Sequence, residues 1–89
     1  MAGLRDDYLM RQLERLAHLV AAVLQKIGVL KRADALAEIH QAYQQLFQIE
    51  PRFAHLVDPA TLGERGELFK RLRDAERSLL DRREASTPR

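Results

Sequence analysis

The stretch DDYLMRQLERLAHLVAAVLQKIG, residues 6–28, decides the fold. Within it Leu9, Leu13, Leu16, Val20, Val23 and Ile27 recur at alternating steps of four and three, which lines one face of a helix. Met10, Ala17 and Leu24 widen that face on one side and Leu19 on the other. The apolar arc then covers about half the circumference, more than the seam of a two-stranded coiled coil. Such a helix must touch at least two neighbouring elements. Arg11, Glu14, Arg15, His18 and Gln25 fall on the opposite face. Asp6 and Asp7 suit the start, as caps and as negative charge at the positive end of the helix dipole. Residues 1–5 are read as an N-terminal tail.

Working outward, Gly28 follows the last periodic residue, where a glycine can take the left-handed conformation that ends a helix. Val29 would then fold back on Leu24, as a Schellman ending prefers. Only residues 28–31 remain as a link, and a link that short returns the chain antiparallel. The next helix is expected over residues 32–48, with Ala35, Leu36, Ile39, Ala42, Tyr43, Leu46 and Phe47 as its apolar arc. Its outer face is rich in glutamine, a good helix former without charge. Glu50-Pro51 breaks the pattern, because proline disfavours helical geometry in the residue before it.

Residues 51–63 read as short-range structure: Pro51 opens one turn, and Asp58-Pro59 is a cap followed by proline at the first helical position. Gly63 and Gly66 argue against a clean continuation. The last helix is expected over residues 67–83, with Leu68, Leu72, Ala75 and Leu79 as its seam and Phe69 and Leu80 beside it. Residues 85–89 are read as a disordered tail. No strand-like alternation of useful length occurs. The fold expected is all-α: a helical hairpin plus a third long helix, forming a small bundle over residues 6–84.

At 89 residues the chain is one domain, near the lower limit of what folds alone. It has no cysteine, which excludes disulfides, thiolate metal sites and a cysteine nucleophile. No apolar run approaches the roughly 18 residues of a membrane span. Residues 1–10 are too charged for a secretory signal, so a cytoplasmic location is expected. The net charge is only +2, and residues 1–31, 32–58 and 59–89 carry +2, −2 and +2. A binder driven by phosphate contacts usually shows a concentrated basic surplus, and none stands out here.

The run Asp7-Tyr8-Leu9-Met10-Arg11-Gln12-Leu13-Glu14-Arg15-Leu16 resembles the opening helix of a bacterial family of uncharacterised helical proteins. In that family a segment like half of a tetratricopeptide repeat follows. Ala35-x3-Ile39-x2-Ala42 before Pro51 looks like the second helix of such a repeat, lengthened by about one turn. The first helix lacks the tryptophan, glycine and tyrosine of the repeat consensus. The resemblance covers roughly residues 6–62 and implies an all-helical, partner-binding protein with no catalytic residue to carry over.

The residues themselves offer little catalytic chemistry. His18, His40 and His55 lack the i, i+4 spacing of a helical zinc pair, so no metal and no cofactor are expected. Ser78 and Ser86 have no positioned histidine, and Gly63-x-x-Gly66 is too short for a phosphate loop and lacks its lysine. On the last helix Glu67 and Arg71, Lys70 and Asp74, and Arg77 and Asp81 stand four apart, the lattice of a solvated face. No aromatic side chain is interleaved among its arginines to stack on bases. The chain is therefore read as a non-enzyme, and a small nucleic-acid-binding regulator is the alternative class.

The strongest signal concerns association. For a chain this short, burial at about 25 cal/mol per Å² and ordering entropy of about 1.5 kcal/mol per residue nearly cancel. The broad face of the first helix needs more cover than one hairpin partner gives. Either the last helix folds back on it, or a second chain covers it. The balance favours a protein partner, with a homodimer through the first or last helix foremost. Leu16 and Val20 are expected to be buried. The candidate interface is Leu9, Leu13, Leu16, Val20, Glu76 and Leu80. Glu76 enters because it sits inside the apolar arc, between Leu72 on one side and Phe69 and Leu80 on the other. It should either reach water at the helix edge or pair with an arginine across an interface.

Overall fold

The computed structural model describes the backbone of residues 2–85 and the side chains of residues 7–81. Three helices, α1 (Ala2–Ile27), α2 (Arg32–Phe47) and α3 (Gly66–Ala85), form a small bundle, and the 3₁₀ segments Pro51–Leu56 and Pro59–Arg65 join α2 to α3. No strand occurs among the described residues.

Helix α1 begins ahead of Asp6, so the expected tail over residues 1–5 is helical from Ala2. No acidic residue stands in its first turn, and Asp6 and Asp7 do not cap it. Ala2, Leu4 and Arg5 are good helix formers, and a single glycine costs only about 1 kcal/mol, so nothing there stops the helix. At the other end Ala85 is the last residue of α3. The rest of the expected tail, residues 86–89, lies outside the described residues.

The ending expected at Gly28 is found at Gln48 instead. Gly28 keeps ordinary negative φ, and the chain leaves α1 through three successive i→i−3 bonds: Gly28 N–H to Gln25 O (3.2 Å), Val29 N–H to Lys26 O (3.2 Å) and Leu30 N–H to Ile27 O (3.3 Å). This tightening hands Leu30 to the core and leaves Val29 86% exposed rather than folded on Leu24. Gln48 takes the left-handed conformation (φ 55°, ψ 38°). Its N–H bonds Gln44 O (3.1 Å), the single bond of a left-handed helix ending, and the Ile49 N–H reaches back to Tyr43 O (3.0 Å).

The connection follows the sequence closely. Asp58 accepts from the Ala60 N–H (3.0 Å), Pro59 takes the first helical position, and Thr61 Oγ1 donates to Asp58 O (2.7 Å). Gly63 lies at φ 65°, ψ −134°, a conformation that L side chains rarely adopt. At Gly66 the backbone passes so near Pro59 that a Cβ would stand 2.2 Å from the Pro59 carbonyl oxygen. The two glycines thus turn the chain sharply and let α3 start against the preceding segment.

Helix α3 folds back in cis and packs on both α1 and α2. The buried side chains of the helices are unevenly shared: α2 supplies Ala35, Ile39, Ala42, Tyr43 and Phe47, and α3 supplies Leu68, Phe69, Leu72 and Leu79. Helix α1 adds Val20 and Ile27. Leu16, expected to be buried, is only partly so. Phe69 sits between two rings, tilted on Tyr43 (5.5 Å between centroids) and edge-on to Phe47 (5.5 Å). The centre of the core is therefore this aromatic contact between α2 and α3, not the middle of α1.

Candidate functional site

Helix length explains where the surface is unusual. At about 1.5 Å per residue, the 26-residue α1 is ~39 Å long and the 16-residue α2 ~24 Å. The hairpin turn aligns the end of α1 with the start of α2, so α2 runs out first. About 15 Å of α1 continues without a hairpin partner. Tyr8, Leu9 and Met10 on this part are 61%, 56% and 60% exposed.

Where α2 stops, a groove of about 660 Å³ opens. Leu9, Leu13, Leu16 and Leu19 of α1 form one wall, and Leu46 of α2 and Leu62 of the second 3₁₀ segment form the other. Its polar rim is Gln12, Arg15, Gln45, Gln48, Glu64 and Arg65. Leu19 is 44% exposed, and Leu13, Leu16, Leu46 and Leu62 are partly buried. Six leucines along an open groove, with three glutamines and charges of both signs around it, can hold an apolar helix edge. Nothing in the groove pairs a nucleophile with a base.

A second cluster lies between α2 and α3. The carboxylate of Glu76 accepts the Tyr43 hydroxyl (2.8 Å) at one oxygen and lies 3.0 Å from His40 Nε2 at the other. Tyr43 is fully buried, and a buried phenol needs an acceptor. Burial raises the Tyr43 pKa well above its ordinary value, the Glu76 hydrogen bond and charge raise it further, and Arg73 opposes them weakly. Arg73 itself keeps a buried guanidinium nitrogen, Nη1, without a hydrogen-bond partner. The cluster ties two helices together. It holds one carboxylate and one imidazole, and no third metal-binding side chain converges on it among the described residues.

The sequence-based interface residues therefore separate into two places. Leu9, Leu13 and Leu16 line the groove, while Val20 is covered within the chain. Leu80 is half exposed on α3. Within the chain Glu76 meets Tyr43 and His40 of α2 and no arginine. Helical-wheel position shows Glu76 inside an apolar arc, but the acceptor-seeking Tyr43 on the facing helix was the missing clue. Leu46 is read from the sequence only as part of the apolar arc of its own helix, although with Leu62 it completes the groove. The three i, i+4 ion pairs expected on α3 are not closed; Lys70 lies 3.9 Å from Glu67 instead.

No helix among the described residues is long and apolar enough to cross a membrane. Comparison with protein-family models, curated proteins and solved structures returns no match.

Proposed function

We propose that this chain is a non-catalytic protein-interaction module whose binding surface is the leucine-lined groove beside the outer half of α1. The observation that carries the reading is the pairing of that groove with exposed Tyr8, Leu9 and Met10 on a stretch of helix that no other element covers. A contiguous apolar surface rimmed by polar residues marks an interaction site more often than an isolated exposed leucine does. The resemblance of residues 7–16 to the opening of a family of small helical proteins points the same way. An amphipathic helix is the natural occupant, presenting apolar anchors one turn apart.

Nucleic-acid binding has less support. The exposed cations of α3, Lys70, Arg71 and Arg77, alternate with Glu67, Asp74 and Asp81 and have no aromatic neighbour to stack on a base. Two measurements test the function. Replacing Leu9 and Leu19, both about half exposed, with lysine should abolish capture of protein partners while the melting temperature stays unchanged. An unchanged partner set would reject the groove as the binding surface. A salt series against single- and double-stranded nucleic acid should show no binding to lose, whereas a phosphate-driven binder loses affinity steeply with salt.

A further inference from the structure

We infer that the groove is filled by the first helix of a second copy of this chain, laid antiparallel across α1. The inference rests on the reading of the groove as a binding surface, and it names the occupant. Along the groove wall α1 presents the row Leu9, Gln12, Leu16 and Leu19. The row is symmetric about the level of Glu14. A two-fold axis there sets Leu9 of each copy against the partner's Leu19, and Gln12 against the partner's Leu16. An isologous interface needs such a self-complementary patch, in which one surface supplies both ridge and recess. The exposed Leu9 is the ridge; Leu19, with Leu46 and Leu62 behind it, lines the recess.

Charge supports a copy over a charged partner. The row carries no ionised side chain; Arg15, beside it on the rim, lies one residue from the axis and there approaches the partner's Arg15. The rest of the rim is three glutamines, Arg65 and Glu64, so each copy brings a carboxylate as well as guanidinium groups to the seam. A surface built to select a partner by charge shows one dominant sign, and this one does not. With a net charge of +2 per chain, two copies repel weakly. Helix length supports it too. An uncovered helical stretch of ten or so residues is marginal in water, and antiparallel pairing covers the overhangs of both copies in one contact.

The chain has no cysteine, so introduced thiols report contacts without interference. Sedimentation or light scattering of the full chain should give a dimer mass, and Leu9→Lys and Leu19→Lys should each weaken it about tenfold or more. Both residues are about half exposed in the single chain, so the melt at dissociating concentrations should not move, while the rise in melting temperature with concentration seen for the parent should vanish. A chain bearing Leu9→Cys mixed with one bearing Leu19→Cys should form the mixed disulfide in preference to either homodimeric one. A monomer mass at every concentration overturns the inference; if the same lysine variants then still abolish capture of a different protein, the groove remains a binding surface and only the second copy is lost. A dimer indifferent to both lysine variants, or Leu9→Cys linking to itself in preference to Leu19→Cys, overturns the antiparallel arrangement.

Discussion

The α2–α3 contact and the outer half of α1 draw on the same residue types and end in opposite states. Between α2 and α3, Tyr43, Phe47, Phe69 and Leu72 are buried, and the one carboxylate among them is satisfied from two sides. Along α1, Tyr8, Leu9 and Met10 stand in water. The difference is not hydrophobicity but supply. Two helices of similar length can cover each other, and a longer one exhausts its neighbour. Apolar periodicity tells that a face wants cover; only the lengths of the facing elements tell whether it receives any.

The largest test of this contrast sets Phe69→Ala against Leu16→Ala. Removing the ring that joins Tyr43 to Phe47 should cost about 3–5 kcal/mol. Leu16 is partly buried on the open side, so its truncation should cost about 1–2 kcal/mol. Urea titrations of both variants with a shared slope measure the difference. Equal midpoints would place the core across α1 rather than between α2 and α3.

Next comes the polar tie. Glu76→Leu leaves the buried Tyr43 hydroxyl without an acceptor and should destabilise the chain by about 1–3 kcal/mol. The double variant Glu76→Leu with Tyr43→Phe removes donor and acceptor together and should recover most of that loss. A Glu76→Leu protein as stable as the parent would show that the carboxylate belongs to the surface and not to the α2–α3 contact.

The same tie predicts an alkaline limit. The folded chain holds the Tyr43 proton more tightly than the unfolded chain, whose tyrosines titrate near pH ~10. The contribution of Tyr43 is therefore complete below pH ~10 and declines above it, at up to about 1.4 kcal/mol per pH unit. Stability measured from pH 9 to 12 should fall along that slope, and Tyr43→Phe should flatten it. An identical slope in the variant would assign the alkaline loss to other groups.

The smallest effect lies at the end of α2, where the groove begins. Gln48 occupies a left-handed conformation that glycine adopts without strain. Gln48→Gly should raise stability by about 0.5–1 kcal/mol. Gly28→Ala, at a position with ordinary φ and only a tight approach to Gln25 O (3.3 Å), should behave differently, with little gain or a small loss. A stabilising Gly28→Ala larger than the gain at Gln48 would reverse this assignment of the two helix endings.

Much of the architecture is local and hence legible in the sequence. The step pattern of α1, the proline after Glu50 and the Asp58-Pro59 cap each act within a few residues, and each stands where the sequence puts it. The misses are tertiary. Gly28 looks like the better left-handed residue, but the hairpin returns more tightly through i→i−3 bonds, while Gln48 accepts the strain so that Ile49 can reach the core. Glu76 is visibly out of place on its wheel, yet its partners sit on another helix, beyond any one-dimensional pattern. For the groove, the α1 wall was legible as Leu9, Leu13 and Leu16. Its opposite wall was not, because Leu62 arrives through a turn whose direction is set by the conformation of Gly63 and the close approach at Gly66.

The inequality of α1 and α2 also gives one helix two resistances to opening. Amides near Val20 and Ile27 are locked under the side chains of α2 and α3, so their exchange with solvent deuterium requires the whole bundle to come apart. Amides near Tyr8 to Met10 need only a few hydrogen bonds to unzip from the N-terminal end. Protection should therefore climb along a single unbroken helix, turn by turn, from residues 7–10 to residues 20–27. In a protein whose outer half is clasped by a neighbour, that gradient would level, and the steepness of the climb becomes a direct reading of how often the clasp is closed.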